Sequence, residues 1–363
     1  MFFCITISSA YLCFRFFIST IAFAFSPVLS SRNWSYLFAY VPTLLCLLGF
    51  GLGGYWGALN LVFVVVFLGF AEWLLPQSRN NADVADSTLP NLILWLALPA
   101  TFLVLGTLLW SASVGKLQGW QILLGALSAG FHGGTVSIVA AHEFIHRPGR
   151  REIWAGNVLL LLQGNAYFFV DHLRVHHRYV GTPRDHATAR FGENFYRFLL
   201  RSLVGQFSEA LQLEADAARK NGNMPFGLGN YVVRQLLIYL VLLGVCGWLL
   251  GWIAAGTWLL SSVISNVLLE YTNYLEHYGL VRPDDARVAY RTSWQCDTWF
   301  SRFLLYDLSR HSDHHVHGAK PYHRLRSMED VPVLPGGYAA LLIPALLPPV
   351  WFRLLHPRLP AGT

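Results

Sequence analysis

Charged residues are scarce in this chain of 363 residues: Asp, Glu, Lys and Arg make up 13% of it, whereas hydrophobic residues make up 54%. Soluble domains usually carry about 25% charged residues, so this balance excludes an ordinary water-soluble fold. The mean hydropathy of +0.42 agrees with this exclusion. The composition therefore predicts an integral membrane protein.

Cysteines are also few, and they follow no metal-binding or disulfide pattern. The five are isolated, and no C-x-x-C pair occurs among Cys4, Cys13, Cys46, Cys246 and Cys296. This excludes a disulfide framework and a Cys-ligated iron or zinc module. If the protein needs electrons for its reaction, a separate carrier must deliver them.

Long apolar runs are what the chain has instead. Each run is close to the ~20 residues that a helix needs to cross ~30 Å of hydrocarbon. There are six, at roughly residues 36–54, 55–75, 91–111, 119–141, 231–250 and 252–274. Gly51, Gly53 and Gly54 separate the first two runs and favour a tight hairpin. We expect an all-α fold, a polytopic membrane bundle of about six transmembrane helices with a cytoplasmic, histidine-rich helical cap.

Two further apolar segments flank these runs. Residues 1–32 are an extra N-terminal segment, with an additional helix as one alternative; a secretory signal is not supported, because only Arg15 precedes Arg32 as a basic residue and no small-residue cleavage motif follows. Residues 335–352 contain four prolines, which argues against a regular spanning helix and favours a segment at the membrane interface. Residues 33–363 are predicted to form one membrane-embedded domain.

The basic residues predict the orientation. Residues 143–230 contain eleven Lys and Arg and residues 276–334 contain eight, out of 26 in the chain. We therefore expect both segments on the cytoplasmic side of a multi-pass inner-membrane protein whose active site faces the cytoplasm. The formal charge of +6 follows from this orientation and from contact with anionic headgroups, and it requires no nucleic acid.

Nine of the fourteen histidines fall in four short groups near the ends of apolar stretches: His142, His146, His172, His176, His177, His277, His311, His314 and His315. His142 and His146 are four residues apart, which on a helix places both imidazoles on one face. His172 and His176 repeat this spacing. Because one ion seldom needs more than four or five imidazoles, the nine predict two metal ions, and we expect no catalytic group beyond this metal centre.

The ligand type narrows the choice of metal without fixing it. Imidazole suits zinc, copper, iron and nickel. The sequence His142-Glu143-x-x-His146 also fits the zinc-protease pattern H-E-x-x-H, but a protease leaves the other seven histidines unexplained. Redox-active iron with open positions for oxygen is the better interpretation. A histidine-rich metal transporter is an alternative of a different class, which would hold its ligands near the bilayer midplane.

These segments resemble the four histidine motifs of the integral-membrane alkane monooxygenases, which are related to the membrane fatty-acid desaturases. The matching segments are residues 142–147, 172–177, 273–279 and 308–315. The third, Asn-Tyr-Leu-Glu-His-Tyr-Gly, separates this family from the desaturases. The chain departs from the family pattern at Asp171 and Val175, where Glu and Gly are usual, and at Ser309, where Gln is common.

The resemblance implies two non-haem iron ions and dioxygen, with hydroxylation of the terminal C–H of medium-chain alkanes or related hydrocarbons. It also implies that rubredoxin, reduced by its NADH-dependent reductase, is the separate electron donor, and that the hydrocarbon comes from the lipid bilayer. A membrane desaturase or hydroxylase of the fatty-acid type is the alternative within the same class of enzymes.

Two further sets of residues are candidates for the site. Five carboxylates are expected to accept hydrogen bonds from ligand imidazoles, namely Glu143, Asp171, Asp185, Glu276 and Asp313. The alternative for some of them is an ordinary ion pair with Arg147, Arg174 or Arg310. Helical spacing also places Phe63, Phe67 and Phe70 on one face of the second spanning helix, where they are expected to wall a substrate channel.

Overall fold

The computed structural model describes residues 32–81 and 87–360, and within these ranges the regular structure is entirely helical. Four helices long and apolar enough to span a membrane come first, α1 (Arg32–Leu52), α2 (Gly54–Leu74), α3 (Thr88–Ser113) and α4 (Trp120–Ile145). Three helices of the cap follow, α5 (Arg150–Leu162), α6 (168–179) and α7 (Phe195–Lys220). Two more spanning helices are α8 (Tyr231–Leu250) and α9 (Trp252–His277). The cap is completed by α10 (Trp299–Leu304), α11 (His311–Val316), α12 (Tyr338–Leu346) and α13 (Pro348–Leu355).

The described residues therefore contain the six predicted spans, in an all-helical fold. The region 335–352 forms parts of the two short helices α12 and α13 instead of one spanning helix, as its prolines predicted. The prediction of an additional helix in residues 1–32 falls outside the described residues, apart from Arg32, which begins α1.

Glycines make the predicted hairpin between α1 and α2. Gly53 and Gly54 have φ angles of +77° and +58°, which glycine adopts without steric cost. The turn is so tight that a Cβ on Gly49 would collide with the carbonyl oxygen of Trp56. Any larger residue at position 49 would push α1 and α2 apart.

Small residues also bring α4 and α9 together, the two spanning helices that end in histidines. A Cβ on Gly134 would lie 2.9 Å from Cβ of Leu268, and one on Gly130 would lie 3.0 Å from the carbonyl oxygen of Ser261. Without a solvent-driven hydrophobic force in the bilayer, such close backbone contact is what holds helices side by side. The ends of α4 and α9 are thus held next to each other.

Three π-helical turns interrupt the α-helical hydrogen bonding, at Phe63–Leu68 in α2, Gly133–Ser137 in α4 and His172–His176 in α6. Each such turn bonds residue i to i+5 and therefore takes up an extra residue. The direction of every later side chain on the helix is rotated as a result. Two of the three lie in α4 and α6, the helices that carry the first two histidine motifs of the sequence.

Buried charge fastens the cap to the spanning helices. The Glu72 carboxylate at the end of α2 accepts hydrogen bonds from Thr298 and Ser301 and from the backbone N–H of Ala339 at the start of α12. Asp307 in turn binds Arg302 and Arg32, and so ties the segment before α11 to the start of α1. These contacts hold α11, which carries the last histidine motif of the sequence, in place.

Candidate metal centre

The nine histidines come from the ends of α4 and α9 and from α6 and α11, and they meet at one end of the helix bundle. They form two groups, within each of which the candidate ligand atoms all lie within 4.8 Å of one another. The first group has five members, His142, His146, His172, His177 and His314. The second has four members, His176, His277, His311 and His315.

The π turn in α6 decides how the second histidine motif is divided. Spacing alone would pair His172 with His176, as on an α-helix. The turn His172–His176 is π-helical, so His172 and His177, five residues apart, face the first group, and His176 faces the second. In α11, which is α-helical, His311 and His315 keep the spacing of four and share the second group.

The nitrogens of the first group have spacings that suit a common ion. The Nε2 atom of His172 lies 3.0 Å from that of His146 and 3.0 Å from that of His177. The Nε2 atoms of His142 and His314 are 2.9 Å apart. Two nitrogens bound at right angles to one ion, with bonds of about 2.1 Å, lie about 3 Å apart. Neutral imidazoles cannot satisfy so many mutual contacts with one N–H each.

The second group converges in the same way. The Nε2 atom of His311 lies 3.2 Å from that of His277 and 2.8 Å from that of His315. The Nε2 atom of His176 is buried and has no hydrogen-bond partner among the described residues. A buried nitrogen without a partner is costly unless something such as a cation occupies that position. The residues of both groups therefore fit transition-metal ions.

Burial favours the neutral form of six of these imidazoles. It lowers the pKa well below the usual value of about 6.5 for six members outside the spanning helices, and neighbouring imidazoles lower it further; these are His146, His172, His177, His311, His314 and His315. Only the neutral form of imidazole offers a lone pair to a metal. The site is thus prepared to bind metal at neutral pH.

Asp185 contacts one of the nine histidines. Asp185 accepts a hydrogen bond from Nδ1 of His176 at 2.9 Å, while Thr188 Oγ1 donates to the same carboxylate oxygen at 2.6 Å. This contact fixes the tautomer of His176 and leaves its Nε2 for the second group. The nearby arginines do not bind Asp185; its buried carboxylate keeps a pKa below the usual value, because His176 and Thr188 offset the effect of burial.

Glu143 and Asp313 make contacts other than the expected ones. Glu143 forms an ion pair with Arg147 at 2.9 Å. This is the ordinary ion pair that the sequence offered as the alternative to a hydrogen bond with an imidazole. Asp313 binds Lys320 and His317 and holds the loop that follows α11. Among the described residues, neither carboxylate has a hydrogen bond to an imidazole of the two groups, which sequence spacing does not reveal.

Asp171 and Glu276 behave differently again. Neither carboxylate oxygen of Asp171 has a hydrogen-bond partner among the described residues, and burial together with Asp185 raises its pKa well above the usual value. Glu276 places Oε2 at 3.2 Å from Nε2 of His311, and its Oε1 accepts a hydrogen bond from Tyr338 at 2.7 Å. Glu276 is thus the carboxylate nearest to the atoms that would bind the metal.

The five remaining histidines belong to neither group, and two of them lie in or near the cap and the spanning helices. His132 lies within α4 and is 3.0 Å from Oγ1 of Thr43, a contact between two spanning helices. His186 pairs with Glu209 at 3.1 Å, away from both groups. Neither is a candidate ligand.

Two neighbouring cavities lie between the helices, and the second reaches the histidines. One spans about 520 Å³ of space between atoms, part of it open to the outside, among α2, α4, α9 and α12, and its wall includes Val64, Phe131 and Leu342. The other spans about 500 Å³, also partly open to the outside, and its wall includes His142, His172 and His311, together with Glu276. Three residues border both cavities, namely Gly134, Thr272 and Leu305.

The wall contributed by α2 differs from the expected one. Val64 and Glu72 border the first cavity, whereas Phe63, Phe67 and Phe70 border neither. Phe63 and Phe67 stack on each other at 5.5 Å between ring centroids, and Phe70 is 49% exposed. The π turn Phe63–Leu68 explains the difference, because the prediction assumed regular α-helical spacing.

Known proteins share both the motifs and the extent of this chain. The family model described as "Fatty acid desaturase" matches residues 118–345, a range that contains all nine histidines. Alkane 1-monooxygenase 1 of Pseudomonas aeruginosa is 37% identical over 319 residues, which cover 84% of this chain and 83% of the relative. The chain belongs to the alkane 1-monooxygenase family.

Other relatives match a similar share of the chain at lower identity. Alkane 1-monooxygenase 2 of Alcanivorax borkumensis is 30% identical, with 86% of this chain and 85% of the relative covered. The xylene/toluene monooxygenase hydroxylase component of Pseudomonas putida is 28% identical, with 87% and 85% covered. As a member of the family, the chain is a multi-pass membrane monooxygenase with a histidine-rich metal centre.

Proposed function

We propose that the protein hydroxylates the terminal C–H bond of medium-chain alkanes or related hydrocarbons, using dioxygen, two non-haem iron ions and electrons from rubredoxin. The observation that carries the proposal is the pair of neighbouring, mainly apolar cavities, the second of which is bordered by His142, His172 and His311. A hydrocarbon that occupies both would have one end beside both groups of histidines.

The two groups would each hold one iron, with five imidazoles for the first and four for the second. The irons would supply the activation of dioxygen and the oxidising power that an unactivated C–H bond requires. In the overall reaction, one oxygen atom enters the hydrocarbon and the other leaves as water, which consumes two electrons and two protons. The chain contributes position, neutral nitrogen donors and exclusion of water.

The cavity walls position the hydrocarbon mainly through shape. A substrate that arrives from lipid is already in an apolar solvent, so the apolar wall adds little affinity. Leu268, Leu304 and Leu342 narrow the first cavity, and Thr272 and Asn273 are polar residues on the wall of the second. An extended chain is thereby expected to present its terminal carbon, and not its middle, to the metal centre.

Electrons have a short route to the first group. A Cβ on Gly318 would lie 3.3 Å from Cε1 of His177 and 3.4 Å from Nδ1 of His146, so the Gly318 backbone lies directly against these two rings. The adjacent His317 side chain is half exposed, and Arg178 next to His177 is exposed as well. A basic surface over a thinly covered metal centre suits an acidic carrier such as rubredoxin.

The same surface supports the proposed location. The chain segments before α8 and after α9 lie on one side of the membrane, because α8 and α9 are two consecutive spans. These two segments contain nineteen of the 26 basic residues. The positive-inside rule therefore supports a metal centre on the cytoplasmic side of the inner membrane, where soluble electron carriers are available.

Two alternatives are less well supported. A fatty-acid desaturase would share the histidines, but the relatives that match most of the chain are monooxygenases of alkanes or of xylene and toluene. A metal transporter would hold its ligands near the middle of the spans. In this chain, His142 lies in the last turn of α4, and His277 is the last residue of α9.

The proposal is tested by the products that the purified protein makes in detergent or lipid nanodiscs. The assay supplies n-alkanes of graded length, ethylbenzene, dioxygen, NADH, rubredoxin and its reductase. Primary alcohols carrying one atom from ¹⁸O₂ are expected, and the His142→Ala variant is the control without activity. Alkenes as the main product would favour a desaturase, and the absence of any oxygenated product would contradict the proposal.

A further inference from the structure

The geometry points to Glu276 as a further metal ligand, which adds a carboxylate oxygen to the four nitrogens of the second group. This inference rests on the proposed function, since it assumes that the two groups hold iron. The two groups differ in their number of imidazoles, since the first offers five and the second four.

Glu276 faces the metal-binding side of His311. Its Oε2 lies 3.2 Å from Nε2 of His311, and the same Nε2 atom faces His277 at 3.2 Å and His315 at 2.8 Å. Cis ligands of one ion, with bonds of about 2.1 Å, are separated by about 3 Å. The carboxylate oxygen is therefore at the distance from His311 that a neighbouring ligand would have.

A simple hydrogen bond between these two side chains is incompatible with metal binding through the same nitrogen. If Nε2 of His311 carries a proton for Glu276, it has no lone pair left for a metal. If Nε2 instead offers its lone pair to a metal, it has no proton to donate. Without the metal, the lone pairs of the nitrogen and of the carboxylate oxygen would then face each other. A cation shared by both atoms removes this conflict.

In the described parts of the chain, no lysine or arginine forms an ion pair with the Glu276 carboxylate. Glu276 is 4% exposed, and His311 is its sole ion-pair partner within 4.0 Å in the described parts of the chain. Glu143, the corresponding carboxylate next to His142, binds Arg147 instead. An ionised carboxylate buried without a cation is strongly unfavourable. A metal ion is the cation that the surroundings of Glu276 lack.

Tyr338 completes the arrangement. Its hydroxyl donates a hydrogen bond of 2.7 Å to Oε1, which leaves Oε2 free to face His311. Metal-bound carboxylates are usually held in this way by a neighbouring donor. Tyr338 also borders the first cavity and Glu276 the second, so the carboxylate lies where the hydrocarbon path reaches the histidines.

The test compares iron binding by the full-length wild-type protein with that of Glu276→Gln, Glu276→Asp and Glu143→Gln. Each protein is loaded with ⁵⁷Fe and examined by metal analysis and Mössbauer spectroscopy, which reports each iron separately. We expect Glu276→Gln to weaken one of the two ions at least about tenfold and to shift the signal of that ion alone. Glu276→Asp should shift the same signal less, and Glu143→Gln should leave both signals unchanged.

The inference is overturned if Glu276→Gln or, should that variant fail to fold, Glu276→Asp binds both ions with wild-type affinity and unchanged spectra. Circular dichroism and gel filtration of the metal-free proteins verify folding. The outcome is separable from the proposed function: a wild-type protein that binds no iron contradicts the proposed function, whereas a normal wild type with unaltered variants contradicts only the role of Glu276.

Discussion

The imidazole rings of His177 and His315 stack on each other, with 4.5 Å between their centroids and 24° between their planes, although they belong to different groups. The stacked pair forms a direct contact between the two metal-binding positions. Sequence neighbours are divided in the same manner, since His176 and His177 face different groups, as do His314 and His315. The two positions are therefore built as one unit.

This division predicts which variant loses which ion. Replacing His177 by Ala should remove a ligand from the first group, and replacing His176 should remove one from the second, which has fewer to lose. We expect both variants to bind less iron than the wild type, with the greater loss for His176→Ala. Metal analysis of the purified proteins measures this, and His186→Ala, whose ring pairs with Glu209, should retain the wild-type content.

Asp185 should affect the metal through His176. Asp185→Asn removes the charge that holds Nδ1 of His176, and such changes typically weaken metal binding about 10- to 100-fold. Asp313→Asn is the matched control, because Asp313 holds Lys320 and a surface loop instead of a ligand. Competition with a chelator measures the affinity. Equal effects of the two substitutions would show that the loss is not transmitted through His176.

The cavity predicts the accepted chain length. Val64→Trp places a larger side chain in the wall of the first cavity and should lower the longest alkane that is hydroxylated. Phe67→Ala tests the sequence-based alternative, which predicts longer substrates if Phe67 walls the channel. Product analysis over a series of n-alkanes decides between them. A longer product range for Phe67→Ala, with an unchanged one for Val64→Trp, would favour the phenylalanines.

The buried ion pairs of Asp307, which lies shortly before α11 in the chain, predict a pH-dependent contribution to stability. Burial alone would raise the pKa of Asp307, but Arg302, Arg32 and Arg310 lower it below the usual value. A lowered pKa in the folded state stabilises the protein above the unfolded pKa of about 3.9, and this contribution is lost as the pH falls through the folded value. Asp307→Asn should therefore lower the melting temperature at pH 7.

The effect of Asp307→Asn is expected to be large at neutral pH, since breaking a buried ion pair typically costs about 3–5 kcal/mol. The difference from the wild type should begin to shrink as the pH falls below the unfolded pKa of about 3.9, and it should vanish below the folded pKa of Asp307, where the wild-type carboxyl is protonated in both states. Asp216→Asn, which breaks an exposed pair with Arg219, is the control and should change little. A difference in stability between the wild type and Asp307→Asn that stays constant with pH would contradict the role of the Asp307 charge.

Sequence predicted the features that depend on composition and on regular spacing. The apolar runs gave six spans because hydrocarbon thickness sets their length, and the glycines predicted the turn at Gly53 and Gly54. The histidine groups indicated a metal centre because imidazoles at helical spacing are rare without a ligand. These inferences use local rules that tertiary contacts did not alter.

The remaining features depend on departures from regular spacing and on side-chain directions. The π turn His172–His176 divides a motif that α-helical spacing would keep together, and the turn Phe63–Leu68 brings Val64 to the cavity wall. Glu143 and Glu276 occupy similar places beside histidines, yet one binds Arg147 and the other faces His311. Only the packed structure distinguishes such cases.

The most direct test of the central claim is the iron content of the full-length wild-type protein, purified in detergent and measured together with protein concentration. Two histidine groups that each hold one ion predict two irons per chain, both lost on treatment with a strong chelator and restored by ferrous iron. One iron per chain, or zinc in place of iron, would contradict the account.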